Sequence, residues 1–161
     1  MAGSDFRPPY YTGTERGPLC LPYLPDTDAT FDPGDLVFYD TSDDTIDECG
    51  ADPANILGWA MEKCTAGVLR QVLRADGKCL VEVIDPGVEY GLPVNADVSD
   101  ANVSTKYGLV KLASGNWAVD LSDTTNTRVI IVRIGQSGRG VEQIAFVHFL
   151  AANLQFSGIV S

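Results

Sequence analysis

Residues 31–38 read FDPGDLVF, an Asp-Pro-Gly turn followed at once by an apolar run. Asp, Pro and Gly favour tight turns, whereas Leu, Val and Phe fit a pleated, half-buried surface. A related combination returns at residues 80–87 (LVEVIDPG), and residues 128–134 (RVIIVRI) carry the strongest strand pattern of the chain. Short apolar runs separated by turn signals predict an all-β protein.

Further β patterns lie between these runs. A hairpin is predicted where an Ala-Ser-Gly turn, residues 113–115, separates two apolar segments. Pro93 lacks an N–H for a sheet ladder, so residues 88–94 are predicted to be an edge segment. Residues 65–75 fit either a helix or a strand. The remaining predicted strands are 36–39, 56–62, 79–84 and 143–150, and the predicted loops are 40–52, 95–105 and 122–127.

A total of roughly eight short strands is typical of a compact β-barrel or β-sandwich. The chain has 161 residues, of which 45% are hydrophobic, and this suits one domain with a substantial core. Residues 1–25 instead contain five prolines interleaved with tyrosines. Proline disfavours regular helix and sheet, so we predict an extended N-terminal arm over 1–25 and a β domain over 26–161.

The charge is strongly negative and uneven. Eleven basic and 22 acidic residues give a net charge of −11, which argues against a nucleic-acid partner because phosphate binding depends on Lys and Arg. Residues 1–52 hold twelve of the acids and two bases. They form either a solvated face or a surface that attracts a basic partner. No apolar stretch reaches the roughly 20 residues of a membrane helix, and the N-terminus lacks signal-peptide features, so we expect no membrane partner and synthesis in the cytoplasm.

Residue types suited to metal binding are present but poorly spaced. The acidic run 40–48 lacks the glycine that a calcium loop needs at its sixth position, which is Thr45. The four cysteines are too far apart for paired zinc ligands, and we expect free, mostly buried thiols. They are Cys20, Cys49, Cys64 and Cys79. We predict no metal site and no cofactor.

Motifs for catalysis are also missing from the sequence. His148 lies in an apolar run without a nucleophile signature, and residues 135–140 (GQSGRG) lack the ending of a phosphate loop. Trp59 and Trp117 could stack on sugars, but Trp117 alternates with Val119 on a predicted strand, which favours packing. We therefore predict no catalytic residues and a protein that binds or builds.

The order of several segments resembles the head decoration, or cement, proteins of tailed bacteriophages. The resemblance covers about residues 31–134. It includes FDPGDLV (31–37), ILGWA (56–60), CLVEV (79–83) followed by VEY (88–90), YGLV (107–110), WAVD (117–120) and TTNTRVI (124–130). The resemblance implies a non-enzymatic virion protein that binds the outside of an assembled capsid, commonly at local three-fold positions between major capsid subunits, and stabilises it.

From the resemblance and the arm together we expect a homo-oligomer, with a trimer favoured, whose partner is the major capsid protein. The expected contacts to the capsid or to neighbouring subunits are the arm residues Phe6, Arg7, Tyr10, Tyr11 and Tyr23. Two alternatives remain. One is a glycan-binding or host-adhesion module that uses an exposed Trp59 or Trp117, and the other is a small β-barrel hydrolase that uses two aspartates.

Overall fold

The computed structural model describes residues 19–65, 77–136 and 143–156. Within these ranges the chain is almost entirely β, with two single 3-10 turns at Asp100–Asn102 and Ala151–Asn153. The strands are β1 (Cys20–Tyr23), β2 (Leu36–Asp40), β3 (Thr45–Glu48), β4 (Gly58–Ala60), β5 (Cys79–Val83), β6 (Tyr90–Pro93), β7 (Lys106–Lys111), β8 (Trp117–Asp120), β9 (Val129–Gln136) and β10 (Gln143–Phe149).

These strands form two five-stranded sheets, which confirms the predicted all-β class and is consistent with a β-sandwich. Sheet 1 has the order β1-β5-β4-β2-β3 and sheet 2 the order β6-β10-β9-β7-β8. All the strand pairs are antiparallel. One isolated parallel bridge links the two edges of each sheet, Pro25 to Ile46 in sheet 1 and Val94 to Val119 in sheet 2. The bridges cover part of the edges that would otherwise be open to strand addition.

Sheet 1 is buried on both of its faces. Leu36 belongs to the core between the sheets, whereas its neighbour Val37 belongs to a second core on the far side. Successive strand residues point to opposite faces, so a continuous apolar run fits a strand that is covered twice. In the core between the sheets, Phe149 meets Trp59 and Tyr90 edge-to-face, with ring centroids 5.9 Å and 5.5 Å apart. Such aromatic pairs add to the free energy gained from burial.

Two glycines act as the sequence predicts. Gly58 interrupts the apolar run 56–60, and a glycine inside a strand pattern predicts a bend or a close backbone approach. A Cβ at this position would lie 2.0 Å from the carbonyl oxygen of Glu82. Gly115 has φ +89° in the turn between β7 and β8, and its N–H donates to the carbonyl of Leu112 at 2.8 Å. The predicted hairpin and the predicted edge position of β6 are both confirmed.

Three expectations need correction. Cys20–Tyr23 form β1 inside the range predicted to be an arm without sheet structure; Pro22 fits there because β1 is an edge strand of sheet 1. Thr45–Glu48 form β3 inside a range predicted to be a loop, because pairing with β2 outweighs the weak β preference of the acids. The described residues therefore hold ten strands rather than about eight. The ambiguous range 65–75 falls almost wholly outside the described residues.

Two ties hold the sheets together. Lys111 at the end of β7 forms ion pairs with Asp35, at 2.8 Å, and with Glu48 of β3. After β10 the chain crosses to sheet 1, where Leu154 bridges Ile56 in parallel. The Gln155 side chain then donates to the backbone oxygen of Tyr39 at 2.6 Å and accepts from its N–H at 2.7 Å. We call this last segment, residues 151–156, the C-terminal clasp.

No helix in the described parts of the chain has both the length and the apolar character needed to cross a membrane.

Candidate interaction surface

Only one of the five predicted contact residues lies within the described part of the chain. Tyr23 is half-buried in β1, and its ring lies edge-to-face against Tyr39 with the centroids 5.8 Å apart. Burial also raises the pKa of Tyr23. Tyr23 is thus built into sheet 1 and not into a separate arm. The other four fall outside the described residues: Phe6, Arg7, Tyr10 and Tyr11.

Exposed leucines mark both ends of β1. Leu19 is 38% exposed and Leu24 is 47% exposed, and among the described residues they are the exposed large hydrophobic side chains. Leu19 is fixed to β5, since its carbonyl accepts the N–H of Val83 at 2.8 Å. Residues 1–18 join the body at Leu19, so the predicted arm enters the domain at an edge strand whose ends carry exposed apolar side chains.

The segment after β1 runs beside β3. Ile46 N–H donates to the carbonyl of Leu24 at 2.8 Å, and Asp26 N–H donates to the carbonyl of Ile46 at 2.9 Å. This pairing brings residues 24–28 alongside the hairpin formed by β2 and β3. We call residues 24–28 and 40–47 together the acidic edge. It combines one exposed leucine with exposed or half-buried aspartates, which are Asp26, Asp28, Asp40, Asp43, Asp44 and Asp47.

The charge around this surface is one-sided. Residues 19–52 contain ten acidic residues and no lysine or arginine. Three of the acids are neutralised from elsewhere: Asp35 and Glu48 by Lys111, and Asp32 by an exposed pair with Lys63 at 3.1 Å. None of the other seven forms an ion pair with a described residue. They are the six aspartates of the acidic edge and Asp52.

Burial opposes the charged form of Lys111, but hydrogen bonds from its ammonium to Asp35 and Glu48 and the charges of these two carboxylates outweigh burial and raise its pKa. The Asp35 side chain is only 5% exposed and also accepts the N–H of Asp32 at 2.9 Å. A buried carboxylate needs such partners, because an isolated buried charge is strongly unfavourable. The triad of Lys111, Asp35 and Glu48 is accordingly structural. The aspartates of the acidic edge differ from Asp35 because they are exposed or half-buried.

Local hydrogen bonds hold the hairpin of the acidic edge in shape. Ser42 donates its hydroxyl and its N–H to Asp40, at 2.6 Å and 2.8 Å, and these bonds lower the pKa of Asp40. The Tyr39 hydroxyl donates to Asp44 at 2.9 Å, a bond that raises the pKa of Tyr39. The hydroxyl of Thr45, which is nine-tenths buried, has no hydrogen-bond partner among the described residues. The bonds from Ser42 and Tyr39 hold the carboxylates of Asp40 and Asp44 in place on the hairpin.

The sugar-stacking surface considered above does not form on the tryptophans. Trp59 is 1% exposed and Trp117 is 3% exposed, both in the core between the sheets. The prediction that Trp117 packs in the core is confirmed. Trp117 and Val119 lie two residues apart on β8, and both are buried. The glycan-binding alternative loses the two side chains on which it depended.

The histidine and cysteines also have structural surroundings. His148 is half-buried, with Nδ1 3.0 Å from the carbonyl oxygen of Pro86. No disulfide links the four cysteines, and three of them are buried, as predicted. The half-buried Cys20 has its pKa raised by burial and by the nearby charge of Glu82, which disfavours a reactive thiolate. No group of three or more His, Cys, Asp or Glu side chains in the described residues is arranged to hold a metal ion.

Sequence reasoning missed the tie between Leu24 and β3. The β-branched pair Thr45-Ile46 within the acidic run was the one local sign of a strand there. Nothing local indicates that residues 24–26 pair with it in parallel. Comparison with known proteins adds no assignment: no protein-family model matches the chain, and no curated protein sequence is significantly similar to it.

Proposed function

We propose that this chain is a structural virion protein that binds the outer surface of a phage capsid and stabilises it as a cement, or decoration, protein. The ordered resemblance over residues 31–134 supports this proposal. The observation that carries it furthest is the position of β1: residues 1–18 lead directly into an edge strand flanked by exposed Leu19 and Leu24. The predicted arm and an edge strand flanked by two exposed leucines thus meet at one place on the body.

A cement protein needs a rigid body and a contact surface that is repeated over a shell. The body here has two cores and two cross-sheet ties, the Lys111 triad and the C-terminal clasp. Contacts that are weak alone become strong when they are linked, so a symmetric homo-oligomer, with a trimer favoured, would increase binding to a shell of matching symmetry. Phe6, Arg7, Tyr10 and Tyr11 are the proposed arm contacts.

The experiment that tests this proposal adds the purified chain to phage heads that lack it and measures co-sedimentation. The informative truncation removes residues 2–18 and not 1–25, because residues 20–23 form β1 and their loss would damage sheet 1. The truncated chain should keep its circular dichroism spectrum and its melting temperature while losing binding. A control variant with residues 2–18 in scrambled order keeps the length and charge of the arm and should also bind poorly.

Two results would contradict the proposal. One is a full-length chain that does not bind the heads, and the other is a truncated chain that binds as well as the full-length chain. Light scattering after size exclusion tests the trimer separately, because it reports the mass of the free protein. A monomer of 17.2 kDa in free solution would restrict oligomerisation to the capsid surface.

A further inference from the structure

The acidic edge places an apolar side chain among negative charges that form no ion pair with any described residue. We propose that the acidic edge docks on a basic protein surface, in which lysine or arginine side chains surround an apolar contact for Leu24. The inference rests on the proposed function, in which the partner is the outside of a capsid, and it adds which face of the protein meets the shell and what chemistry the shell presents there.

Leu24 is well suited to such a contact. Its side chain is 47% exposed, yet its backbone is fixed, because its carbonyl accepts the N–H of Ile46 and the next bond in the same pairing joins Asp26 to Ile46. Burying an exposed leucine removes apolar surface from water. Because the backbone of Leu24 is already ordered in the free protein, binding costs little further backbone conformational entropy. This distinguishes Leu24 from an apolar side chain on a free chain end.

The charges of the acidic edge decide the kind of partner. Its aspartates form no ion pair within the described protein, so a partner's cations can meet them without breaking an existing pair. A second copy docked about a two-fold axis would bring the same negative surface against itself, which is repulsive. A different chain that carries Lys or Arg avoids this repulsion and gains from electrostatic steering. Charge complementarity thus favours a basic partner of another sequence.

Thr45 provides an independent sign that the hairpin can take a further polar contact. Thr45 and Asp47 lie two residues apart on β3 and therefore on the same face of the strand. Thr45 is nine-tenths buried, and its hydroxyl oxygen, which is itself fully covered, has no hydrogen-bond partner among the described residues. Buried hydroxyls are normally hydrogen-bonded, so this oxygen is an acceptor for an ammonium or guanidinium N–H once docking moves aside the groups that cover it.

A matched pair of double variants tests the inference on phage heads that lack the protein. Asp28→Asn with Asp43→Asn removes two charges from the acidic edge, and Asp97→Asn with Asp100→Asn removes two from the loop after β6. All four side chains are exposed. At low salt, about 50 mM, the first variant should bind about 3- to 10-fold more weakly and the second as the wild type. At about 0.5 M salt, screening should remove most of the difference.

Leu24→Ala tests the apolar part of the same contact. It should weaken binding about 3- to 10-fold at both salt concentrations, because the apolar contribution is not screened by ions. Sedimentation velocity of the free variants shows whether a second copy is the partner. A change in self-association for Asp28→Asn with Asp43→Asn would overturn the inference, because the acidic edge would then contact another copy.

The outcomes separate the inference from the proposed function. A wild-type chain that does not bind the heads at either salt concentration overturns the proposed function and this inference with it. A wild-type chain that binds while the two double variants behave alike overturns only the inference, since the capsid must then be contacted by another face.

Discussion

Sheets 1 and 2 share one architecture but differ in charge. Each has five antiparallel strands and a parallel bridge between its edges. The described residues up to residue 84, which build sheet 1, include twelve acids and two bases, whereas those from residue 85 onward include six acids and four bases. The exposed leucines are both in the first group. Packing requirements alone therefore did not set the surface charge of sheet 1, since sheet 2 also packs on a core with a nearly balanced set of charges.

The two cores differ as well. The core between the sheets contains large rings, including Trp59, Tyr90 and Phe149, whereas the far core of sheet 1 is built mainly from aliphatic side chains and thiols. Large rings that interlock at fixed angles define a rigid junction. The smaller far core is completed by Tyr39 and Phe156, of which Phe156 belongs to the C-terminal clasp. The stability of sheet 1 therefore depends partly on a segment that follows sheet 2.

The largest effect is expected from removing a ring at the junction. Phe149→Ala should lower the free energy of unfolding by about 3–5 kcal/mol, because it deletes contacts with Trp59 and Tyr90 and leaves a cavity. Phe156→Ala, at a half-buried site in the far core, should cost less than half as much. Urea denaturation of both variants measures the difference. Equal losses would show that the junction is no more important than the far core.

The next effect concerns the ion pairs between sheets. Lys111→Met should cost about 1–3 kcal/mol, since it leaves the buried carboxylate of Asp35 without its cation. The matched variant Lys63→Met breaks an exposed pair with Asp32 and should cost less than about 0.5 kcal/mol. Thermal unfolding at neutral pH compares the two. An equal loss of free energy of unfolding in Lys63→Met and Lys111→Met would show that burial does not determine the strength of these ion pairs.

A smaller effect is expected at the C-terminal clasp. Gln155→Ala removes two hydrogen bonds to the backbone of Tyr39 and should cost about 1–2 kcal/mol. The Tyr39 amide should also exchange with solvent faster, while amides of sheet 2 should keep their rates. Asn153→Ala, which removes one long bond to Ala54, is the control and should stay within about 0.5 kcal/mol of the wild type. Faster exchange throughout sheet 2 would contradict a local role for Gln155.

The smallest effect is one of pH, and it compares equivalent turns in the two sheets. The Ser42 hydroxyl lowers the pKa of Asp40 in sheet 1, and the Ser122 hydroxyl lowers the pKa of Asp120 in sheet 2. A lowered folded-state pKa stabilises the fold above the unfolded value of about 3.9, and this stabilisation is lost as the pH falls through the folded pKa. Carboxyl titration by NMR should show that Ser42→Ala and Ser122→Ala each raise the pKa of the adjacent aspartate. An unchanged Asp40 in Ser42→Ala would contradict the assignment.

Much of the fold was predictable because local signals agreed with tertiary structure. The Ala-Ser-Gly turn before Trp117 placed a hairpin correctly, and Gly58 signalled a close backbone approach. The wrong predictions arose where strand pairing outweighed local residue preference. Pro22 lies in an edge strand of sheet 1, and Ile46 pairs with β2 from within an acidic run. The acidic character of the candidate surface was visible in the sequence. Its assembly was not, because the parallel bridge from Pro25 to Ile46 joins segments that no local pattern connects.

The proposed function is tested in place by electron cryo-microscopy of phage particles that contain this chain. We expect density for it on the outside of the shell, with sheet 1 and its acidic edge against the capsid, Leu24 in the contact and sheet 2 facing outward. Particles without such density would contradict the proposed function, and density in which sheet 2 meets the shell would contradict the division of roles between the two sheets.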